Sequence, residues 1–204
     1  MVTLYKFDFL SLFLQYDFLM SSEPPLLKLH LGCGNNFKDG YVNIDKYIHG
    51  DDIHQFDILD LPFADNSVSE ILAEHIAEHL SFREEKLFFY EVKRVLTEGG
   101  LINLEVPDME WVFSEFCKAK DDFKDFYEVG SVDHYFGNGN ELDNRWGALT
   151  THIWGNQNGD GQFHKNGYTE QKLYRIGELV GFASCQVSRG FNKKTQVLLC
   201  QFTK

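Results

Sequence analysis

The sequence predicts an α/β fold with a mainly parallel sheet, and three observations support this prediction. Short apolar runs that end in glycine, proline or an acid recur at residues 26–31, 41–44, 69–73 and 101–106. Such runs are typical of strands that are buried in a parallel sheet. Amphipathic helical patterns occur at residues 82–97 and 169–180. Because strand and helix patterns alternate, an α/β arrangement is favoured.

The bulk composition limits the classes of protein to which the chain can belong. Its 204 residues are enough for one domain with a full core. The net charge of -12 argues against binding of a nucleic-acid backbone, which requires clustered Lys and Arg. Four widely spaced cysteines without a Cys-x-x-Cys pair predict reduced thiols, no zinc site of that kind and a cytoplasmic location.

Residues 1–25 differ from the rest of the chain and predict an aromatic, amphipathic N-terminal extension with a short linker. Lys6, Asp8 and Asp17 interrupt the apolar run, so neither a membrane span nor a signal peptide is predicted. We expect the extension to pack on the domain, or alternatively to contact a partner or a further domain. The main domain is then residues 26–204.

Glycines and an acid follow the first two predicted strands. Gly32-Cys33-Gly34 comes after the first strand, and Asp45 ends the second. Glycine lets a backbone approach a ligand closely, and an acid at the next strand end can accept hydrogen bonds from a ribose. A dinucleotide fingerprint is excluded because Phe37 occupies its third glycine position and Asp45 comes too early. The pattern therefore predicts a nucleoside pocket.

The remaining pattern predicts the elements in order. The link between Gly34 and Tyr41 is too short for a crossover helix, so a truncated first helix is expected. The pattern predicts a strand at residues 56–59 and a helix at residues 109–126. It also predicts a hairpin that is formed by strands at residues 185–188 and 196–202. Residues 130–167 show no periodicity and predict a substrate loop or lid.

Four segments resemble the class I S-adenosylmethionine (SAM) methyltransferases: LGCGNN, NID, DILDLPFADNSVSEILAEHIAEHL and VKRVLTEGGLINLEVPD. The segment HKNGYTEQKLYRIGELVGF is similar to a branch of small predicted methyltransferases associated with glycosyltransferases and polysaccharide synthesis. The resemblance implies a Rossmann-like sandwich whose seven-stranded, mainly parallel sheet has an antiparallel last strand. It also implies an enzyme that uses SAM and releases S-adenosylhomocysteine.

The resemblance also implies cofactor-binding positions. Asp45 is expected to hold the ribose hydroxyls, Asp57 and Ile58 to meet the adenine, and Ala73 and Glu74 to line the methionine and sulfonium region. Two departures are His30, where an acid is usual, and Asn36, where a third glycine is usual. The full predicted set is Leu31, Gly32, Cys33, Gly34, Asn35, Asp45, Asp57, Ile58, Ala73 and Glu74.

A sugar hydroxyl is a poor nucleophile until its proton is removed, so a general base is expected near the methyl group. The catalytic candidates are His164, His75 and Asp108, with Glu74 as an alternative base. Glu78 and His79 are expected to be structural. No metal ligand is predicted; a divalent ion held by Asp108 and a histidine is the less favoured alternative.

The expected function is methylation of a sugar hydroxyl of a glycan, for example on a terminal deoxysugar such as rhamnose. Two alternatives remain open. One is a methyltransferase for another small molecule, a phenol or an amine. The other is a non-catalytic SAM-fold module docked to a glycosyltransferase or forming part of a larger polypeptide.

Overall fold

The computed structural model describes residues 26–118, 145–157, 159–192 and 195–204, and only the backbone of residues 145–148. The predicted N-terminal extension and part of the predicted substrate loop lie outside these residues. Within the described ranges, no helix combines the length and the apolar composition needed to cross a bilayer.

The sheet is mixed, and its strand order is β2-β1-β3-β4-β6-β5. The first four strands run parallel, whereas β6 runs antiparallel to both β4 and β5. The prediction of a mainly parallel sheet with an antiparallel last strand is confirmed. The strands are β1 (Leu27–Leu31), β2 (Val42–Ile44), β3 (Val68–Glu74), β4 (Leu96–Pro107), β5 (Ser184–Asn192) and β6 (Thr195–Thr203).

The described part of the sheet has six strands, so the prediction of seven was wrong. The strand expected at residues 56–59 is replaced by a turn, in which the Asp60 N–H donates to the Asp57 carbonyl at 3.1 Å. The Asp57 carboxylate also accepts the Leu59 N–H at 3.0 Å, and such local bonds compete with extended pairing. Beyond β2, where the additional strand was expected, the only pairing in the described residues is one isolated parallel bridge between Ile44 and His54.

Four helices and one 3₁₀ turn (Ala77–His79) accompany the sheet in the described residues: α1 (Phe82–Val95), α2 (Met109–Lys118), α3 (Arg145–Trp154) and α4 (Glu170–Val180). Ser81 and Glu84 form a capping box that starts α1. Thr169 caps α4, and Gly181 ends it at φ +77°. Helix α3 lies inside the stretch predicted to be irregular, so that prediction was wrong for residues 145–154.

The main hydrophobic core lies between α1, α4 and one face of the sheet. Phe202 of β6 contacts Phe89 of α1 and Phe182, with ring centroids 5.7 and 4.9 Å apart. On β3 and β4, buried residues alternate with partly exposed ones that are largely polar, including Glu70 and Asn103. The links from β1 to β2 and from β2 to β3 contain no helix. The polar face is therefore not covered by described helices, and it leads to the carboxyl ends of β3 and β4.

Candidate functional site

The two glycines after β1 both have left-handed backbone but different surroundings. Gly32 has φ +65°, and a Cβ placed there would lie 2.6 Å from Ile76 Cδ1. Gly34 has φ +53°, and no heavy atom lies within 4 Å of a Cβ placed there. Gly32 therefore makes room for Ile76, whereas Gly34 leaves open space at the carboxyl edge of the sheet.

Asp45 connects this glycine loop to the end of β2. Its Oδ2 accepts the Gly34 N–H at 2.9 Å, and its Oδ1 accepts the N–H groups of Tyr47 at 2.8 Å and Ile48 at 2.9 Å. A carboxylate offers about four lone-pair sites, so these three bonds leave capacity for one further donor. The half-buried Asp45 can thus accept a hydroxyl of a ligand lying against Gly34.

The residues between and beneath the glycines are tightly packed. Leu31 and Ala73 are fully buried and are partners in the β1–β3 register. The Cys33 N–H donates to the Ile44 carbonyl at 3.0 Å. Burial, together with the nearby Asp45 charge, raises the pKa of the Cys33 thiol to about 11. Cys33 is therefore a neutral packing group, and Asn35 beside it is exposed.

Glu74, at the end of β3, lies on the other side of the glycine loop. Its Oε2 is 3.4 Å from Asn36 Nδ2, 3.6 Å from Lys38 Nζ and 3.7 Å from His30 Nε2. Burial lowers the pKa of His30, whose Nδ1 lies 3.2 Å from Asn43 Oδ1. Sequence reasoning missed Lys38, although it is the single basic residue between Gly32 and Tyr41. Groups of both charge signs therefore meet beside the loop.

Asp57 and Ile58 lie in the turn that replaces the expected third strand. Asp57 accepts from Lys46 Nζ at 3.0 Å and from the Leu59 N–H at 3.0 Å. Burial alone would raise the pKa of Asp57, but these two bonds outweigh it and hold the pKa below its usual value. Because Lys46 directly follows Asp45, this pair keeps Asp57 close to the glycine site.

His75 follows β3 in the left-handed region, at φ +52°. Its Nδ1 lies 3.0 Å from Glu78 Oε1, and its Nε2 lies 3.0 Å from Glu105 Oε1. Burial alone would lower the pKa of His75, but the bonds to Glu105 and Glu78 raise it to about 10. Asn192 also donates to Glu105, at 2.7 Å. Both ring nitrogens are therefore engaged by carboxylates.

Sequence reasoning did not select Glu105 or Asn192. Glu105 is the one acid in the apolar run Leu101–Val106, and that interruption was the available signal. Asn192 gives no local signal, because it is far from Glu105 in sequence and comes close to it only when β5, β6 and β4 pair in the sheet.

A cleft of about 310 Å³ opens beyond His75, and it is lined mainly by polar residues. His79 and His164 meet there with ring centroids 4.7 Å apart, and burial lowers the pKa of His164. The cleft lining consists of His75, Glu78, His79, Pro107, Thr151, His152, Asn156, Gln162, His164, Asn192 and Thr195. A larger groove of about 430 Å³ lies along the polar face of the sheet, and no residue of the glycine loop lines it.

Asp108 does not line this cleft. It is buried, its Oδ1 accepts the N–H groups of Glu110 at 3.0 Å and Trp111 at 3.3 Å, and its Oδ2 accepts from Arg189 Nε at 3.0 Å. These bonds cap α2 and neutralise the carboxylate. The structure thus brings His75 and His164 together and gives Asp108 a structural environment.

Residues 33–104 match the family described as Methyltransferase domain. No curated protein matches the sequence significantly.

Three solved structures share the fold. The 1,6-didemethyltoxoflavin-N1-methyltransferase of Burkholderia thailandensis, with bound 1,6-didemethyltoxoflavin and S-adenosylhomocysteine, is 12% identical with a TM-score of 0.56, covering 88% of this chain and 71% of that chain. A SAM-dependent methyltransferase of Archaeoglobus fulgidus is 12% identical with a TM-score of 0.53, covering 88% and 86%. One of Methanosarcina mazei is 13% identical with a TM-score of 0.54, covering 86% and 91%.

The contrast between the glycines gives a stability prediction. Gly34→Ala should destabilise the fold by about 1–2 kcal/mol, the cost of left-handed backbone in a residue with a Cβ. Gly32→Ala should cost about 1–3 kcal/mol more, because its Cβ overlaps Ile76. Urea unfolding measures both values. In an Ile76→Ala background, the excess cost of Gly32→Ala should disappear; equal costs for Gly32→Ala and Gly34→Ala in the wild-type background would contradict this packing.

Proposed function

We propose that the chain is a methyltransferase that uses SAM, because residues 33–104 match the family described as Methyltransferase domain and the fold is that of SAM-dependent methyltransferases. From this premise we propose that it is an O-methyltransferase whose acceptor is a sugar hydroxyl of a glycan, for example on a terminal deoxysugar such as rhamnose. SAM supplies a methyl group on a sulfonium, which is a good leaving group. The protein must therefore bind SAM and align the acceptor oxygen with that methyl group.

One observation carries the cofactor part of the proposal. Gly34 leaves open space directly beside a carboxylate that can still accept a hydrogen bond. In this proposal, Asp45 accepts a ribose hydroxyl, and Asp57 with the Ile58 backbone lies at the adenine edge. Glu74 and Lys38 have the charges that suit the amino and carboxylate groups of the methionine part.

The acceptor part of the proposal rests on the lining of the 310 Å³ cleft. Its amide, hydroxyl and imidazole groups suit a molecule with several hydroxyls better than a flat phenol. Two exposed aromatic side chains, Trp154 and Phe163, lie close in sequence to residues that line the cleft, and each is 46% exposed. Their two segments are paired by the bridge between Gly155 and Phe163. Exposed aromatic faces can pack against the apolar face of a sugar ring.

Two of the predicted catalytic residues keep a role in this proposal. His164 contacts the acceptor at the floor of the cleft. His75 is a positioning residue. Its two hydrogen bonds hold the carboxylates of Glu78 and Glu105, which lie between the proposed cofactor site and the proposed acceptor cleft. Asp108 is assigned no catalytic role, because Arg189 and two backbone N–H groups occupy its carboxylate.

Asp45→Asn should weaken SAM binding by at least about tenfold, measured by calorimetry, because hydrogen bonds to a charged group contribute about 1.5–3 kcal/mol. Asp39→Asn is the matched control, because Asp39 is an exposed acid of the same loop. Thermal unfolding of both variants checks that the fold is retained. Equal SAM affinity in the two variants would place the cofactor elsewhere.

Turnover of methyl-labelled SAM against sugars, phenols and amines tests the acceptor. We expect transfer to a sugar hydroxyl, and His164→Ala should lower turnover at least about tenfold while SAM affinity is retained. The exposed His49→Ala is the matched control. Preferential methylation of a phenol or an amine would contradict the sugar acceptor. SAM binding without transfer to any of the three classes would indicate a non-catalytic module.

A further inference from the structure

The Glu78 carboxylate is an unusual group for a protein interior. Its side chain is 1% exposed, and only its Oε1 has a hydrogen-bond partner, His75. Its Oε2 is buried and has no partner among the described residues. A buried charged oxygen left unsatisfied costs at least about 1–3 kcal/mol, so it requires an explanation.

Two imidazoles lie near the Glu78 carboxylate. Glu78, His79 and His164 each offer one potential ligand atom, and these atoms all lie within 4.8 Å of one another. The two rings meet almost edge to face, at an interplanar angle of 78°. The three side chains thus surround a common point at the floor of the cleft.

The tautomers of both histidines are fixed by backbone carbonyls. His79 Nδ1 lies 3.2 Å from the Phe163 carbonyl oxygen, and His164 Nδ1 lies 2.8 Å from the His152 carbonyl oxygen. A carbonyl oxygen only accepts, so each Nδ1 carries the hydrogen and each neutral ring keeps a lone pair on Nε2. This arrangement is the one usually found around metal-bound histidines.

The backbone also fixes the two segments that supply the three side chains. The N–H groups of Lys165 and Asn166 both donate to the Glu78 carbonyl, at 2.9 and 3.1 Å. His164 directly precedes this pair of bonds, so its position relative to the 3₁₀ turn with Glu78 and His79 is set by the main chain. The site is therefore preorganised rather than formed by two flexible side chains.

We propose that Glu78, His79 and His164 bind one divalent transition-metal ion of the zinc class. Two imidazoles and one carboxylate suit zinc, iron or manganese, whereas magnesium prefers oxygen ligands only. The ion satisfies Glu78 Oε2 and neutralises its buried charge. Asp108, the ligand considered from the sequence, is excluded from this site because Arg189 holds it elsewhere.

Three protein ligands leave a coordination position that faces the cleft. An acceptor hydroxyl bound there would become more acidic, since metal binding lowers the pKa of a coordinated oxygen. This consequence rests on the proposed function, whereas metal binding itself does not.

Calorimetry of the full chain with Zn²⁺, after removal of metal by a chelator, tests the proposal. We expect one Zn²⁺ per chain, little binding of Mg²⁺, and a Zn²⁺-dependent rise in the unfolding temperature. Co²⁺ bound in place of Zn²⁺ should give the visible absorption of a site with nitrogen and oxygen ligands. Absence of stoichiometric Zn²⁺ binding would overturn the proposal.

Matched variants locate the ion. Glu78→Gln, His79→Ala and His164→Ala should each weaken Zn²⁺ binding at least about 100-fold, more than the loss of an outer-shell partner causes. His49→Ala, at an exposed histidine, should not weaken it. Because Glu78→Gln also changes the partner of His75, the half-buried His79 provides the variant that is safest for folding. Unchanged Zn²⁺ affinity in folded His79→Ala would overturn the site.

The same variants separate this inference from the proposed function. Their SAM affinity should stay at the wild-type value, because Glu78, His79 and His164 lie outside the glycine site. Zn²⁺ binding without sugar methylation would contradict only the proposed function. Sugar methylation without Zn²⁺ binding would contradict only the metal site.

Discussion

The hydrogen bonds that the Asp45 carboxylate accepts are the interaction on which the proposed cofactor site depends. The link between β1 and β2 has no helix to fix its course, and side chains near the end of β2 replace that support. Asp45 holds the Gly34 N–H, while Asn43 accepts the Lys38 N–H at 3.0 Å and donates to the Lys38 and Tyr41 carbonyls. Without these bonds, the open space at Gly34 would have no defined position relative to the strand ends.

A second set of charges connects the end of β3 beside the glycine loop to the proposed acceptor cleft. His75 lies between Glu105 of β4 and Glu78 of the 3₁₀ turn, in a left-handed conformation that a residue with a Cβ adopts only at a cost. The Glu78 carbonyl in turn holds the segment that carries His164. The ends of β3 and β4 and the segment before α4 therefore act as one polar unit.

The features predicted correctly from the sequence have local signals. The helical patterns of α1 and α4, the glycines after β1 and the acid at the end of β2 are recognisable from short stretches of chain. The failed strand at residues 56–59 has a local cause as well, because the Asp57 side chain bonds its own backbone and favours a turn. Helix α3 was missed because it is a short element with little helical periodicity, between sequence segments rich in Gly, Asn and Asp.

The composition of the site was harder to predict because its contacts join distant residues. Glu105 meets His75 across two strands, and Glu78 meets His164 across a separation of 86 positions, which no local pattern reports. The sequence favours a structural role for Glu78 and His79, and it makes Asp108 a catalytic candidate because Asp108 follows a predicted strand and Pro107. The partner of Asp108, Arg189, lies 81 residues away and gives no local signal. Local patterns predicted the glycines and the acid at the strand ends, whereas tertiary contacts determine the lining of the cleft.

The most direct test is a crystal structure of the full chain with S-adenosylhomocysteine. We expect a ribose hydroxyl on Asp45, the adenine beside Asp57 and the sulfur directed toward the cleft beyond His75. A ligand lying instead in the groove of about 430 Å³ along the polar face, away from Gly34, would contradict the account.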